Sequence, residues 1–362
     1  MARDLLDHII NEINREPGGA IPFSRYMELA LYHPEWGYYN REHPKLGRDG
    51  DFFTNAHVGD IFGQVLSRYF LSLRDNMSQA EPWALVEMGA GDGRLTEQMV
   101  QGLLGQGQGP EQLHLYVVEI SPYHRRLQQE RLAKSPFLIR WVEHIREIPV
   151  YPFSVIYSNE LVDAFPVHQI KKEKGQLCEG YVAWDSCSGK LVKKWGPLST
   201  AGIYEYLTAF HLELADGQTI EVNLAAHQWL QEVATWMKKG YLCTIDYGGN
   251  TDELLQRRDG TLRSYRRHQL FSDPLSHPGE MDITSHVNFE ALQKWGERWG
   301  LATHSCLTQS RFLLEAGILD LWPPDPVSDP FGPAAKRSRA IRQLIHPRAM
   351  GEQFLVLLQG KN

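Results

Sequence analysis

Val86-Glu87-Met88-Gly89-Ala90-Gly91-Asp92-Gly93 closes an apolar run on an acid and then sets glycines at alternate positions. Gly89 and Gly91, on either side of Ala90, let the backbone turn tightly and approach a ligand with no Cβ in the way, and a helix starting just after them offers unsatisfied N–H groups. That combination suits a nucleotide-type ligand at the end of a buried strand. A dinucleotide fingerprint wants G-x-G-x-x-G, but here the sixth position is Arg94 and the third glycine comes one residue early, at Gly93. The spacing therefore disfavours a nicotinamide-dependent oxidoreductase. An ordinary strand-to-helix turn is the bland alternative.

An acid, one residue, then G-x-G-x-G resembles motif I of the class I S-adenosylmethionine (SAM) methyltransferases, where Glu87 would face the ligand's aminoacyl end. Such a ligand has a ribose, whose vicinal hydroxyls need a bidentate acceptor at the end of the second strand. Glu119, followed by Ile120, stands there, thirty residues after Gly89. The fourth strand ends in Ser158-Asn159-Glu160-Leu161-Val162-Asp163, where doubly wound folds place substrate-handling groups. Glu160 and Asp163 suit an arginine acceptor, because a guanidinium is planar, permanently charged and forked, and carboxylates hold it by charge-assisted hydrogen bonds. Asn159 would serve adenine or a substrate amide, or cap a turn. Asp282 and His286, four apart, would make a base pair for proton removal, although Thr284 and Asn288 read as helix caps. The basic runs 265–268 and 336–342 read as solvated faces.

At 362 residues, a net charge of -7 and a pI near 6.1, the chain has room for a large core and lacks the broad basic face of a nucleic-acid binder. No apolar run is long enough to span a bilayer. The opening residues carry acids early, which argues against a targeting segment and for a bacterial-type cytoplasmic setting. Cys178, Cys187, Cys243 and Cys306 have no C-x-x-C spacing, so they read as reduced, mostly buried residues and no metal site is expected.

From residue 83 onward short apolar runs alternate with amphipathic stretches, the pattern of a parallel sheet covered by helices. Strands are expected at 83–88, 113–119, 137–142, 153–158, 241–246, near 303 and at 353–358, with helices at 94–104, 122–134, 225–239 and 289–299. Between them, 167–172, 177–184 and 191–195 read as antiparallel strands turning at Lys174-Gly175 and Ser188-Gly189. Residues 1–80 form an arm with a helix capped by Ser24, a turn-rich aromatic segment at 33–39 and a helix at 58–73. Folded over the carboxyl edge of the sheet, the arm would be a lid. The division expected is an arm (1–80) and a main domain (81–362) with insertions at about 164–222 and 248–286.

These segments together resemble the MidA family of SAM-dependent methyltransferases. The resemblance rests on S-R-Y-M-E-L-A-L-Y-H-P-E-W-G-Y-Y (24–39), G-D-F-F-T (50–54), the G-x-G-x-G loop, N-E-L-V-D-A-F-P (159–166) and Ile245-Asp246-Tyr247-Gly248. Gly260-Thr261-Leu262 with Tyr265 and His268, D-I-T-S-H-V-N-F (282–289) and Met350 to Phe354 follow in the same order. It implies an α/β, Rossmann-like class I fold of seven strands whose last strand is antiparallel, carrying the arm and the inserted β subdomain. It also implies SAM binding at Gly89, Gly91 and Glu119, and methylation of an arginine in a protein, a respiratory-complex subunit in mitochondrial members. A different acceptor and a SAM-binding assembly chaperone without catalysis remain open, as does a homodimer.

Overall fold

A computed structural model of the chain describes residues 2–43, 45, 55–74, 81–267, 269–323 and 329–362. The G-D-F-F-T segment and His268 lie outside them. Seven strands build the central sheet: β1 (Trp83–Met88), β2 (Leu113–Val118), β3 (Ile139–Val142), β4 (Phe153–Asn159), β5 (Gly240–Gly249), β6 (Ala302–Thr308) and β7 (Phe354–Lys361). Their order is β6-β7-β5-β4-β1-β2-β3, and the short strand Val287–Asn288 adds to the end of β5. Strand β7 runs antiparallel to both neighbours, while β1 to β5 are mutually parallel.

The sheet is covered on both faces, so its inner strands read as continuous apolar runs. All six residues of β1 are buried. Because side chains alternate, Leu85, Val155 and Tyr157 enter one core with helices Ile61–Ser72 and Arg94–Gly105, while Val86 and Ile156 enter another with helices Leu224–Trp236 and Phe289–Arg298. The expected helices are present with ends shifted by up to three residues. At 225–239 the helix stops at Trp236, since Met237 is already extended and leads into β5. The Cys residues depart from expectation, with Cys243 buried, Cys178 and Cys306 half-buried and Cys187 exposed.

The insertion is an antiparallel sheet of His168–Glu173, Gln176–Asp185, Lys190–Gly196 and Thr219–Val222. Its first turn is a tight hairpin in which Lys174 (φ 50°) and Gly175 (φ 80°) are both left-handed. The arm adds Ile21–Pro22 to this sheet, and Leu5, Ile9, Phe23 and Tyr26 share a third core with Val167 and Val182. Ser24 is not a cap, because Pro22 already occupies the cap position, and its hydroxyl lies 3.3 Å from His168 Nδ1 instead. Thr284 belongs to the strand Asp282–Thr284, whereas Asn288 does cap the next helix by accepting the Ala291 N–H. The 336–342 run is not wholly solvated, since it falls in the helix Pro333–Ile345 and buries Ser338, Ala340 and Ile341.

Candidate functional site

A cavity of about 730 Å³ opens at the carboxyl ends of β1, β2 and β4. Glu87, Gly89, Ala90, Gly91, Glu119, Ile120 and Asn159 all line it. The glycine loop is left-handed at Gly89 (φ 72°) and Gly91 (φ 54°), and a Cβ on Gly89 would stand 2.7 Å from Leu161 Cδ1. Only glycine satisfies both constraints there. Arg131 clamps the loop through the Asp92 carboxylate (2.9 Å) and carbonyl (2.8 Å). Burial works against the Asp92 charge, but the hydrogen bond from His57 and the charge of Arg131 hold its carboxyl below the ordinary value.

Glu119 is joined to that loop by a residue that the sequence reading did not single out. Gln128 Nε2 donates to both Gly91 O (2.9 Å) and Glu119 Oε2 (3.0 Å), while its Oε1 accepts from Trp141. Its helix is polar along most of its length, so nothing in the sequence marked Gln128 as buried. Glu87 Oε2 accepts from Thr96 and from Tyr157 OH (2.8 Å). Burial pushes Glu87 and Glu119 each up to about 7. Ile120 is half exposed and presents an apolar side chain to the cavity.

A second cavity of about 590 Å³ adjoins the first, and Tyr39 and Glu160 line both. Glu160 holds a left-handed backbone (φ 56°), rare for a residue with a side chain. Its N–H donates to Ile245 O (2.9 Å), and its Oε1 accepts from Asn159 Nδ2 (3.0 Å) and the Asn55 N–H (3.2 Å). Asp163 faces the second cavity only, is 6% exposed, and its Oδ1 has no hydrogen-bond partner among the described residues. Asp282 Oδ1 accepts from Tyr39 OH (2.7 Å). Tyr39 in turn stacks on Tyr32, so the arm supplies the wall between the cavities.

Asp246, which closes the apolar run 241–246 within β5, fixes this loop. Its Oδ2 accepts three successive N–H groups, from Leu161 (3.2 Å), Val162 (2.8 Å) and Asp163 (3.2 Å), and its Oδ1 accepts from Tyr247. Burial and then the Asp246 charge push Glu160 up to about 8. The same two causes, joined by Asp282 and Glu160, raise Asp163 well above its ordinary value. Burial puts Asp246 at about 7. Glu160, Asp163 and Asp246 thus converge beside Asp282 where ionising the first three is costly, a site that calls for protons or a bound cation. Asp246 carries the strand-end acid pattern of Glu87 and Glu119, so the pattern was in the sequence; its partners were not.

The expected Asp282–His286 base pair is not formed. Among the described residues no hydrogen bond or ion pair joins them; burial, then Arg257 and Arg263, depress the imidazole to about 4, and the His286 backbone N–H donates to Thr261 Oγ1. Of the 265–268 run, Arg266 is paired with Glu280 at 2.6 Å and is not simply solvated.

Raised carboxyl values make folding proton-linked. Each of these groups binds a proton more tightly folded than unfolded, so its stabilising contribution is complete below the ordinary carboxylate range and is lost as pH rises toward 8. The ligand-free protein is therefore expected to melt lower at pH 8.5 than at pH 5.5, by at least about 3 °C. A calorimetric series should show this slope, shallower for Glu160→Gln. A flat or rising profile would contradict the buried cluster.

Comparison with known proteins places these features in a family. Residues 65–307 match the family model of S-adenosyl-L-methionine-dependent methyltransferases. A protein from Burkholderia thailandensis solved with S-adenosyl-homocysteine bound is 31% identical, with a TM-score of 0.88 over 99% of this chain and 92% of that one. The mitochondrial protein arginine methyltransferase NDUFAF7 of Xenopus tropicalis is 29% identical, covering 88% of this chain and 76% of that one. The human NDUFAF7 is 26% identical, covering 97% and 82%. The cytoplasmic setting expected from the sequence is overturned, since these curated relatives are mitochondrial proteins. Acids in the opening segment were a poor guide because Ala2–Arg15 is an amphipathic helix with Leu5, Ile9 and Ile13 buried, so its composition reports packing. Among the described residues no helix is long and apolar enough to cross a membrane.

SAM fits the residues present: a glycine cradle that a Cβ would fill, a strand-end carboxylate at Glu119 for vicinal hydroxyls, and the apolar Ile120 beside it. Gly89→Val is accordingly expected to weaken SAM binding at least 100-fold, since it adds steric overlap to a disfavoured backbone. Isothermal titration checks this, and near-normal affinity would remove the loop from the cofactor site. The glycine loop, its strand-end acid and the matched relatives agree: the chain belongs to the S-adenosyl-L-methionine-dependent methyltransferase family.

Proposed function

We propose that this protein transfers a methyl group from SAM to a guanidinium nitrogen of a protein arginine. The observation that carries the reading is the shared wall, where Glu160 separates the glycine-loop cavity from a second cavity floored by Asp163 and Asp282. With an uncharged acceptor these buried carboxyl groups would keep their protons, whereas a guanidinium lets them ionise and holds them by charge-assisted hydrogen bonds. Relatives named as protein arginine methyltransferases support the acceptor type. A respiratory-complex subunit is the acceptor implied by the MidA resemblance.

In this reading Glu87, Gly89, Ala90, Gly91, Glu119, Ile120 and Asn159 hold the cofactor, and Glu160 and Asp163 are catalytic. SAM, when bound, supplies a methyl group activated on a sulfonium sulfur. Glu160 orients the acceptor, its carboxylate kept in place by Asn55 and Asn159. With a carboxyl value near 8, Glu160 also accepts the proton that the arginine nitrogen must lose. Asp163 and Asp282 take the other edge of the guanidinium, and Tyr39 closes the junction against water.

Labelled SAM added with the protein to lysate tests the reading. Label recovered on protein arginine after hydrolysis and mass spectrometry is the expected result. Label confined to metabolites or to other residue types would refute the arginine assignment.

A further inference from the structure

We propose that the second cavity selects arginines that have an acidic side chain within a few residues, the guanidinium lying on the carboxylate floor and the acid on a cationic rim formed by Arg257 and Arg263. The inference rests on the arginine-transfer reading above and adds what distinguishes one arginine from another.

The cavity is lined by groups of both charges. Glu160, Asp163 and Asp282 form its acidic part, with the buried Asp163 Oδ1 unsatisfied among the described residues. Arg257, Arg263 and His286 also line it. His286 is kept neutral by burial and by those two arginines, which puts all three in one electrostatic neighbourhood. Neither arginine is ion-paired among the described residues, and Arg263 Nη1 donates only to Leu262 O at 2.8 Å. By contrast Arg266, the residue after Tyr265 on the same strand, is neutralised by Glu280. Glu352 also lines this cavity, but it accepts from Ser310 Oγ.

The strand register measures the separation. Arg263 pairs with Thr284 and Tyr265 pairs with Asp282, so the rim arginine and the floor acid lie two residue levels apart. Two levels amount to roughly 7 Å, the span of about two residues of extended peptide. A substrate chain laid across the cavity therefore puts an acid on the rim when it follows or precedes the arginine by about two positions, and longer side chains extend this to about four. Long-range attraction at such a half-exposed rim sharpens selection more than it adds affinity. A lysine in that place meets two unpaired arginines and is repelled.

The test uses full-length protein, labelled SAM and synthetic Gly/Ala peptides with one central arginine and Glu, Ala or Lys scanned through the flanking positions. Binding is read in parallel by fluorescence anisotropy with S-adenosylhomocysteine present. Peptides with Glu about two positions away are expected to show about fivefold higher kcat/KM than Ala peptides, mainly through KM, and Lys peptides to be lower still. The double variant Arg257→Glu with Arg263→Glu should invert the order, and the double Arg→Lys variant should restore it, with cofactor affinity and melting point confirming the fold. Methylation or binding that is indifferent to flanking charge, or no binding of the Glu peptides at millimolar concentration, overturns the proposal. Charge-selective binding with no methylation of any arginine would instead overturn the transfer reading and leave the rim assignment standing.

Discussion

Glu160→Gln is expected to lower the methyl-transfer rate about 1000-fold while SAM affinity stays within twofold. Glutamine keeps the oxygen that accepts from Asn55 and Asn159, so the loop and the cofactor cavity should keep their shape. What disappears is the negative charge that meets the guanidinium and the site that receives its proton, contributions of the size typical of a positioned general base. The carboxyl value near 8, set by burial and by Asp246, gives the wild type a second signature. Its rate should climb with pH and level off above about 8, as Glu160 ionises, and the variant's residual rate should lack that limb. Steady-state kinetics across pH 6–9.5 would read both effects, and a variant within tenfold of wild type would remove Glu160 from the chemistry.

Asp246→Asn carries the second large effect, although Asp246 reaches neither cavity wall. One carboxylate oxygen gathers three backbone N–H groups and so holds residues 161–163 in the turn that forces Glu160 into its left-handed backbone. An amide has one acceptor oxygen without the charge, and its NH₂ group cannot face those donors. Glu160 is then free to relax, and a displacement of about 1 Å at a reacting group costs on the order of 100-fold in rate. We expect kcat to fall by that amount with KM for SAM unchanged. Because the Asp246 charge helps to raise Glu160, the midpoint of the pH–rate limb should also move to lower pH. The melting point should shift by less than about 5 °C, since weaker hydrogen bonding is offset by the loss of one of four crowded acids. A large loss of stability with a normal pH profile would make Asp246 a structural residue only.

How far the sequence disclosed this site depended on whether its parts are local. The glycine loop is legible because its constraints lie within five residues, and Glu119 because a parallel β-α-β unit puts the second strand's end beside the first. Glu160 and Asp163 were singled out by the same rule applied to β4. Tyr39, Asn55 and Gln128 have no such local mark, and the patterns that Asp246 and Asp282 do carry say nothing of their partners. All five are tied to the site through contacts across sequence separations that periodicity does not encode. Local rules also misled where two competed. Ser24 suits a cap, but Pro22 with its fixed φ starts the helix two residues earlier, and Thr284 suits a cap, but pairing with Arg263 keeps it in a strand. His286 looked like a base from its spacing to Asp282, and burial beside two arginines takes away that role.

In the proposed mechanism methyl group and acceptor meet at the Glu160 wall between two cavities. A crystal structure of the protein with S-adenosylhomocysteine and an arginine peptide tests this meeting point. The expected result is the cofactor over the glycine loop with its ribose on Glu119, its sulfur directed at the Tyr39 and Glu160 junction, and a guanidinium in the second cavity hydrogen-bonded to Glu160. A sulfur turned instead toward Trp229 and Gln228 at the outer side of the first cavity, with the guanidinium bound there and Glu160 out of reach of both, would contradict it.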